Sequence, residues 1–196
     1  ETFPYRLEDN PSFLHFPGNE KRVLYGEDIF VGYRYYDTKK VPVRYAFGHG
    51  LSYTEFTYGD LTLSSAQMTD EDILTVSLKV KNSGKTEGKE VVQLYVADLC
   101  GTPERPVKEL KGFAKVHLLP GEEKTVSMEI SARNLSYYEE RLGDWYAPSG
   151  TYRILIGHAS DDIRLHADIV FKTKKKLPLR VDFTTTFGEL LDHTKT

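Results

Sequence analysis

The sequence contains a single cysteine, Cys100, so it cannot form an internal disulfide. It has no apolar run near the ~18–20 residues needed to cross a bilayer, and its formal net charge is only −3. These absences exclude a disulfide framework, a transmembrane helix, and a nucleic-acid or membrane-surface role driven by bulk charge. What is present is 39% hydrophobic and 12% aromatic residues, enough for a packed core.

Patterns that carry chemistry are also scarce. None of the six histidines has a partner at the i, i+4 spacing of a helical zinc site. The phrase Gly48-His49-Gly50 leads into a predicted strand, so it does not indicate a phosphate-binding loop. The adjacent pairs Glu27-Asp28, Glu139-Glu140 and Asp161-Asp162 would point to opposite faces of an extended segment, so we interpret them as surface charges or turn acceptors. We therefore assign no catalytic, substrate-binding, cofactor-binding or metal-binding residue and expect no cofactor.

Four further side chains have competing interpretations. Trp145 lies beside Asp144, a setting in which an exposed indole can stack on a sugar ring, but we favour a core position for this sole tryptophan. His49 is interpreted as a packing and hydrogen-bonding residue rather than a base. Tyr137 or Tyr138 is expected to bind the backbone through its hydroxyl, as a tyrosine corner does.

Residues 1–53 differ in character from the rest of the chain. They are dense in proline, glycine and aromatic residues and show no sustained periodicity, which predicts irregular backbone packed on a larger body. A self-contained, loop-rich subdomain is the alternative. Standing alone, such an arm would expose more aromatic surface than monomers usually do. We therefore expect it to contact a missing part of a longer or cleaved protein.

From residue 54 onward, apolar and polar residues alternate in short runs separated by turn signals. The runs predict strands at residues 56–63, 74–80, 91–96, 110–118, 126–130, 152–156 and 163–171. About seven short strands in this length are typical of an immunoglobulin-like or fibronectin-III-like antiparallel β-sandwich, here spanning residues 54–173. Residues 174–196 form a predicted tail in which the basic run 174–176 is a solvated boundary and residues 184–191 form a short docking helix.

The phrase Tyr45-Ala46-Phe47-Gly48-His49-Gly50-Leu51-Ser52-Tyr53-Thr54 resembles the end of the second catalytic domain of the family-3 glycoside hydrolases. Further resemblances follow in the same order along almost the whole chain. They occur at residues 3–18, 25–37, 80–84, 88–96, 105–113, 119–122, 135–138, 150–152 and 157–163, and at Trp145. Each phrase alone is weak, whereas their order and spacing together are specific.

The resemblance implies a mostly β chain in which residues 1–53 complete an α/β domain and residues 54–173 form a fibronectin-III-like sandwich. It implies a parent enzyme that hydrolyses terminal β-D-glucosyl residues with retention, using an aspartate nucleophile in a barrel and a glutamate acid/base in the α/β domain. Neither motif occurs in this chain, so the chain alone is expected to be inactive and structural.

The partners that the resemblance implies are the barrel and α/β domains of the parent. The β-glucoside or oligosaccharide substrate would be bound through that parent. A homo-oligomer is a further partner to test, whereas no nucleic acid or membrane is expected. The alternative function is a carbohydrate- or protein-binding β-sandwich module.

Overall fold

The computed structural model describes residues 1–19, 21–102, 105–178 and 185–186, which form two packed β-sheets with an irregular arm against one of them. The arm contains strands β1 (Phe3–Pro4) and β2 (Val43–Tyr45), which pair antiparallel, and helix α1 (Tyr33–Lys39). A short 3-10 helix spans Leu7–Asp9. The sequence pattern did not predict α1, whose seven residues span only about two turns and so offer little periodicity.

The remaining strands and one short helix follow in chain order. They are β3 (Phe56–Leu63), β4 (Gln67–Thr69), β5 (Ile73–Asn82), β6 (Gly88–Asp98), β7 (Glu109–Leu118), β8 (Glu123–Ser131), α2 (Ala132–Leu135), β9 (Tyr137–Glu139), β10 (Asp144–Tyr146), β11 (Gly150–Ala159) and β12 (Asp162–Lys172). The long strands among them lie where the alternation predicted them. Strands β4, β9 and β10 were not predicted, because three residues are too few to show a period-2 pattern.

The sandwich is built from a five-stranded sheet in the order β4-β12-β11-β6-β7 and a three-stranded sheet in the order β3-β5-β8. Neighbouring strands are antiparallel except β4 and β12, which pair in parallel. Strands β9 and β10 form a separate small hairpin. The prediction of a mostly β, fibronectin-III-like sandwich is therefore confirmed.

The hydrophobic core lies between the two sheets and is filled by alternate residues of their strands. On β5 these residues are Leu74, Val76, Leu78 and Val80, and on β11 they include Ile154 and Ile156. Each is buried, and full burial of such an aliphatic side chain contributes about 1.5–3 kcal/mol to stability. The alternation in the sequence thus reports directly which face of each strand meets the core.

A tyrosine tied to the backbone is present, but at a different position from the predicted one. The hydroxyl of Tyr152 donates a hydrogen bond to the carbonyl of Pro148 at 2.9 Å, four residues upstream. Tyr137 instead donates to the side chain of Glu139, so the tyrosine-corner prediction for Tyr137 or Tyr138 is wrong. Tyr152 takes this role because its ring is buried in the core beside Phe171.

The predicted core position of Trp145 is also wrong. Trp145 lies on the small β9–β10 hairpin outside the core cluster, and 38% of its surface is exposed. The Arg133 guanidinium lies over its ring and Tyr138 meets it edge-on at 5.6 Å. The core between the sheets is already filled by the side chains of their long strands, and this explains why the indole ring packs elsewhere.

The tail prediction has two outcomes. Most of the predicted helix at residues 184–191 lies outside the described residues, so it stays a prediction. In the basic run, the Lys175 ammonium contacts the Asp144 carboxylate at 2.7 Å and donates to the Trp145 carbonyl at 3.0 Å. The run therefore fastens the end of the sandwich to the small hairpin.

Candidate functional site

Strand β6 is buried on both faces, which sets it apart from a strand that has one face in solvent. Every residue from 92 to 97 is buried. Val92, Leu94 and Val96 face the core, while Gln93, Tyr95 and Ala97 face the opposite side, where the arm lies against Gln93 and Tyr95. The nearly unbroken apolar run of β6 is the sequence signal of such double burial. The junction between arm and sandwich is therefore the candidate site.

Tyr33 of α1 is the central aromatic contact of this junction. Its ring meets Tyr95 edge-on at 5.7 Å and lies against Phe47 at 5.1 Å. Its hydroxyl accepts a hydrogen bond from the backbone N–H of Leu110 at 2.7 Å. Burial, and after it the neighbouring Tyr33, raise the pKa of Tyr95 well above its usual range, so this phenol stays neutral.

Polar contacts join α1 to the segment that leads into β7. The Asp37 carboxylate lies 2.7 Å from the Lys108 ammonium, and the Arg34 guanidinium lies 3.5 Å from Glu109. The hydroxyl of Thr38 accepts a hydrogen bond from the backbone N–H of Val107 at 2.9 Å. These contacts explain why charged residues cluster at positions 105–109, a cluster for which sequence reasoning offered no role.

Arg105 fastens the same segment to the sandwich. Its guanidinium donates to Asp98 at 3.2 Å, to Glu109 at 2.8 Å and to the carbonyl of Leu135 at 2.8 Å, and its side chain is largely buried. Burial alone would raise the pKa of Glu109, but Arg105, Lys111 and Arg34 outweigh it, so the pKa of this carboxyl is lowered. Glu109 thus links the arm cation Arg34 to the buried Arg105.

The loop that follows β2 covers the other half of the outer face of β6. Gly48 has φ +90°, and a Cβ there would overlap the Gln93 amide nitrogen. The loop therefore requires glycine at this position both for its backbone conformation and for lack of space. The Gln93 amide donates to the carbonyl of His158 and accepts from the Tyr95 hydroxyl. The backbone N–H of Ser160 donates to the carbonyl of Phe47 at 2.8 Å. Gln93 is the polar residue within the apolar run of β6, and it was the sequence signal of this contact that the analysis of the sequence missed.

His49 has the packing role predicted for it but not the hydrogen bond. Its ring lies 4.9 Å from that of Tyr45, and its side chain makes no hydrogen bond within the described part of the chain. An open cleft of about 940 Å³ adjoins this loop. Glu1 supplies the one carboxylate among the described residues that line it, whereas glycoside hydrolysis by the usual route needs two.

A second buried polar cluster closes the edge between the two sheets. The buried carboxylate of Glu90 accepts from the Tyr58 hydroxyl at 2.7 Å and lies 2.8 Å from Nδ1 of His158. The Arg164 guanidinium lies over the Tyr58 ring at 4.7 Å and donates to the carbonyl of Phe56 at 2.9 Å. These groups satisfy one another across the sheets, which is the expected state of buried polar groups.

The remaining reactive groups are held in structural settings. Burial, and after it Asp98, raise the pKa of the Cys100 thiol to about 12, so the sulfur is protonated and a poor nucleophile at neutral pH. Glu139 accepts from the backbone N–H of Arg141, as the turn-acceptor interpretation predicted. Across the residues that the structure describes, no three histidine, cysteine or acidic side chains are grouped to hold a metal ion, and no helix is long and apolar enough to cross a membrane.

The exposed tryptophan offers little to a sugar. Ring stacking on a carbohydrate needs an open aromatic face, and the Arg133 guanidinium occupies one face of the Trp145 ring. Tyr138 is the more exposed ring of the pair, and its edge-on contact with Trp145 orients it. Because the geometry of the hairpin favours an internal cation–π stack, a carbohydrate site there has no specific support.

The chain resembles known proteins along almost its whole length. A model of the fibronectin type III-like domain matches residues 90–160. Thermostable beta-glucosidase B of Acetivibrio thermocellus is 51% identical over 191 residues, which are 97% of this chain and 25% of that protein. A beta-glucosidase of Kluyveromyces marxianus is 48% identical over 178 residues, which are 90% of this chain and 20% of that protein.

Solved structures agree with the sequence matches. The crystal structure of the GH3 beta-glucosidase of Bifidobacterium adolescentis superposes with a TM-score of 0.87 at 38% identity, covering 98% of this chain and 28% of that one. The chain thus spans about a quarter of the length of the relatives that it matches. It is homologous to the C-terminal portion of β-glucosidases of glycoside hydrolase family 3 and includes a fibronectin type III-like domain.

Proposed function

We propose that this chain is the structural C-terminal part of a retaining β-glucosidase that hydrolyses terminal β-D-glucosyl residues. In this proposal residues 1–53 complete the α/β domain of the parent, and the sandwich of residues 54–173 supports that domain from outside. The barrel and α/β domains supply both catalytic carboxylates and bind the substrate. The chain alone has no glycosidase activity.

One observation carries the proposal: the arm contacts the sandwich and also exposes many apolar side chains that a second body could cover. Toward the sandwich it presents close contacts, namely Tyr33 on Tyr95 and Asp37 on Lys108. The arm also exposes a set of large apolar side chains. These are Phe3, Tyr5, Leu7, Phe13, Leu14, Phe16, Val23, Leu24, Tyr25, Ile29, Val31, Tyr45, Leu51 and Tyr53. Monomeric proteins rarely leave so many large apolar side chains of one segment uncovered, so a second body belongs there.

A chimera tests the proposal. In the Acetivibrio thermocellus β-glucosidase, the segment that matches this chain is replaced by residues 1–196, and hydrolysis of p-nitrophenyl β-D-glucoside is measured. We expect a soluble, active chimera, an inactive or insoluble enzyme when the segment is deleted, and no turnover by the isolated chain. Saturable hydrolysis by the isolated chain, or full activity of the deleted enzyme, would contradict the proposal.

A further inference from the structure

The exposed apolar surface does not end where the arm ends. The cleft beside the Gly48 loop is lined by Phe3, Tyr45 and Leu51 from the arm and by Val91, Leu110 and Phe113 from the five-stranded sheet. Leu51 is 96% exposed and Phe113 is 70% exposed. Two regions with different folds therefore contribute to one continuous apolar surface.

Phe113 is placed on this surface by the register of the sheet. On β7, Phe113 lies opposite Gln93 of β6. Its neighbours Gly112 and Ala114 face the core side, where Gly112 lies near Met128. The Gly48 loop covers Gln93, yet Phe113 one strand away stays open to solvent. The described residues leave this large aromatic side chain mostly uncovered beside the covered Gln93, and such an exposed ring marks a contact surface.

The surface has a defined boundary. Beside Val91, the same sheet face carries the exposed cations Lys89 and Lys115. Lys115 pairs directly with Val91, and Lys89 is two residues from it along β6. An apolar centre with a basic rim matches the usual anatomy of a protein–protein contact. Its occupant is expected to be apolar at the centre and acidic where it meets these two lysines.

The position of Glu1 identifies the occupant. Glu1 itself lines the cleft, so polypeptide that precedes it in a longer protein leaves from within this surface. The matched β-glucosidases extend about three-quarters of their length beyond the segment that this chain covers. Because a covalently attached body at this point has a high effective concentration, it outcompetes free partners for the cleft.

We propose that the cleft seats the part of the parent β-glucosidase that precedes Glu1, with Phe113 as its anchor on the sandwich. This inference rests on the proposed function and deepens it: the sandwich contacts the catalytic body directly, in addition to the contact made through the arm. The arm and sheet then act as one interface, and the sandwich has no freedom to swing about residue 53.

The chimera described above tests this inference through two matched substitutions. Phe113→Ser removes the anchor, and Ile73→Ser makes a similar change at a residue that is 63% exposed on β5 of the other sheet. In the chimera, we expect Phe113→Ser to lower the melting temperature by at least about 3 °C and Ile73→Ser to lower it by about 1 °C or less. In the isolated chain, where the described residues leave Phe113 mostly exposed, we expect neither substitution to lower the melting temperature appreciably.

Oxidative footprinting of the unsubstituted proteins provides an independent measurement. Hydroxyl radicals should modify Phe113 several-fold more slowly in the chimera than in the isolated chain, with a smaller change at Ile73. Equal modification of Phe113 in both proteins, or equal thermal shifts for the two substitutions, would overturn the inference while leaving an active chimera in agreement with the proposed function. Dimers of the isolated chain that Phe113→Ser dissociates in sedimentation would instead assign the cleft to a second copy.

Discussion

The sandwich and the arm contain similar apolar residues, but the sandwich buries them and the arm leaves most of them exposed. In the sandwich, alternate side chains are buried between two sheets, and Leu94 and Ile154 are fully inaccessible. In the arm, Leu14 is 86% exposed although it is equally apolar. Among the described residues of the arm, Tyr36 and Ala46 are the apolar residues that are buried. The sandwich thus obtains its stability from within the chain, whereas the arm takes an ordered shape from the sheet on one side and leaves the other side uncovered.

The largest expected difference between the two regions comes from one chemical change made in each. Leu94→Ala leaves a cavity in the core and should reduce the free energy of unfolding by about 2–5 kcal/mol. Leu14→Ala should change it by less than about 0.5 kcal/mol in the isolated chain. Urea unfolding of both variants measures this, and similar losses would show that the arm has a core of its own.

A pair of glycines sharpens the comparison at the junction. Gly48→Ala should cost about 1–3 kcal/mol, because it combines a strained positive φ with overlap on Gln93. Gly50→Ala, two residues away, has no atom within 4 Å of the added Cβ and serves as the control. Limited proteolysis of the arm should be faster in the first variant alone. Equal cleavage rates would mean that the loop does not hold the arm.

A smaller effect is expected from one hydroxyl. Tyr33→Phe removes the oxygen that accepts from the Leu110 N–H and should weaken the junction by about 0.5–1.5 kcal/mol. Tyr35→Phe is the matched control, since the Tyr35 hydroxyl has no hydrogen bond with any described residue. Hydrogen exchange at Leu110 reports the change locally. Unchanged protection of the Leu110 amide in Tyr33→Phe would mean that the hydroxyl does not contribute to docking of the arm.

The smallest effect is a dependence of arm docking on pH. The ion pairs of Glu109 lower its pKa in the folded protein, so they stabilise the junction above the usual glutamate value of about 4.3 and are lost as the pH falls through the folded value. Protease resistance of the arm should be constant from about pH 7 to 5 and decrease below about pH 4. Glu109→Gln should flatten this profile, and resistance that is lost as pH rises would contradict the assignment.

The sequence predicted the two regions unequally for a physical reason. Strand β5 was readable because Leu74, Val76, Leu78 and Val80 meet one core and their neighbours meet water. The roles of Tyr33 and Gln93 were not readable, because each depends on a residue brought near it only by the fold. Trp145 was misplaced for the same reason: composition indicated a core residue, while the Arg133 contact that stabilises it outside the core has no local signature.

Strand β7 has a further consequence, because it is the last strand of the five-stranded sheet. Such an edge is a template to which another chain can add a strand, and this is a common route to aggregation. At the start of this edge, Thr38 and Tyr33 accept the backbone N–H groups of Val107 and Leu110. The arm therefore blocks the addition of a further strand at this edge. A sandwich that lacks residues 1–53 should polymerise through the edge of β7.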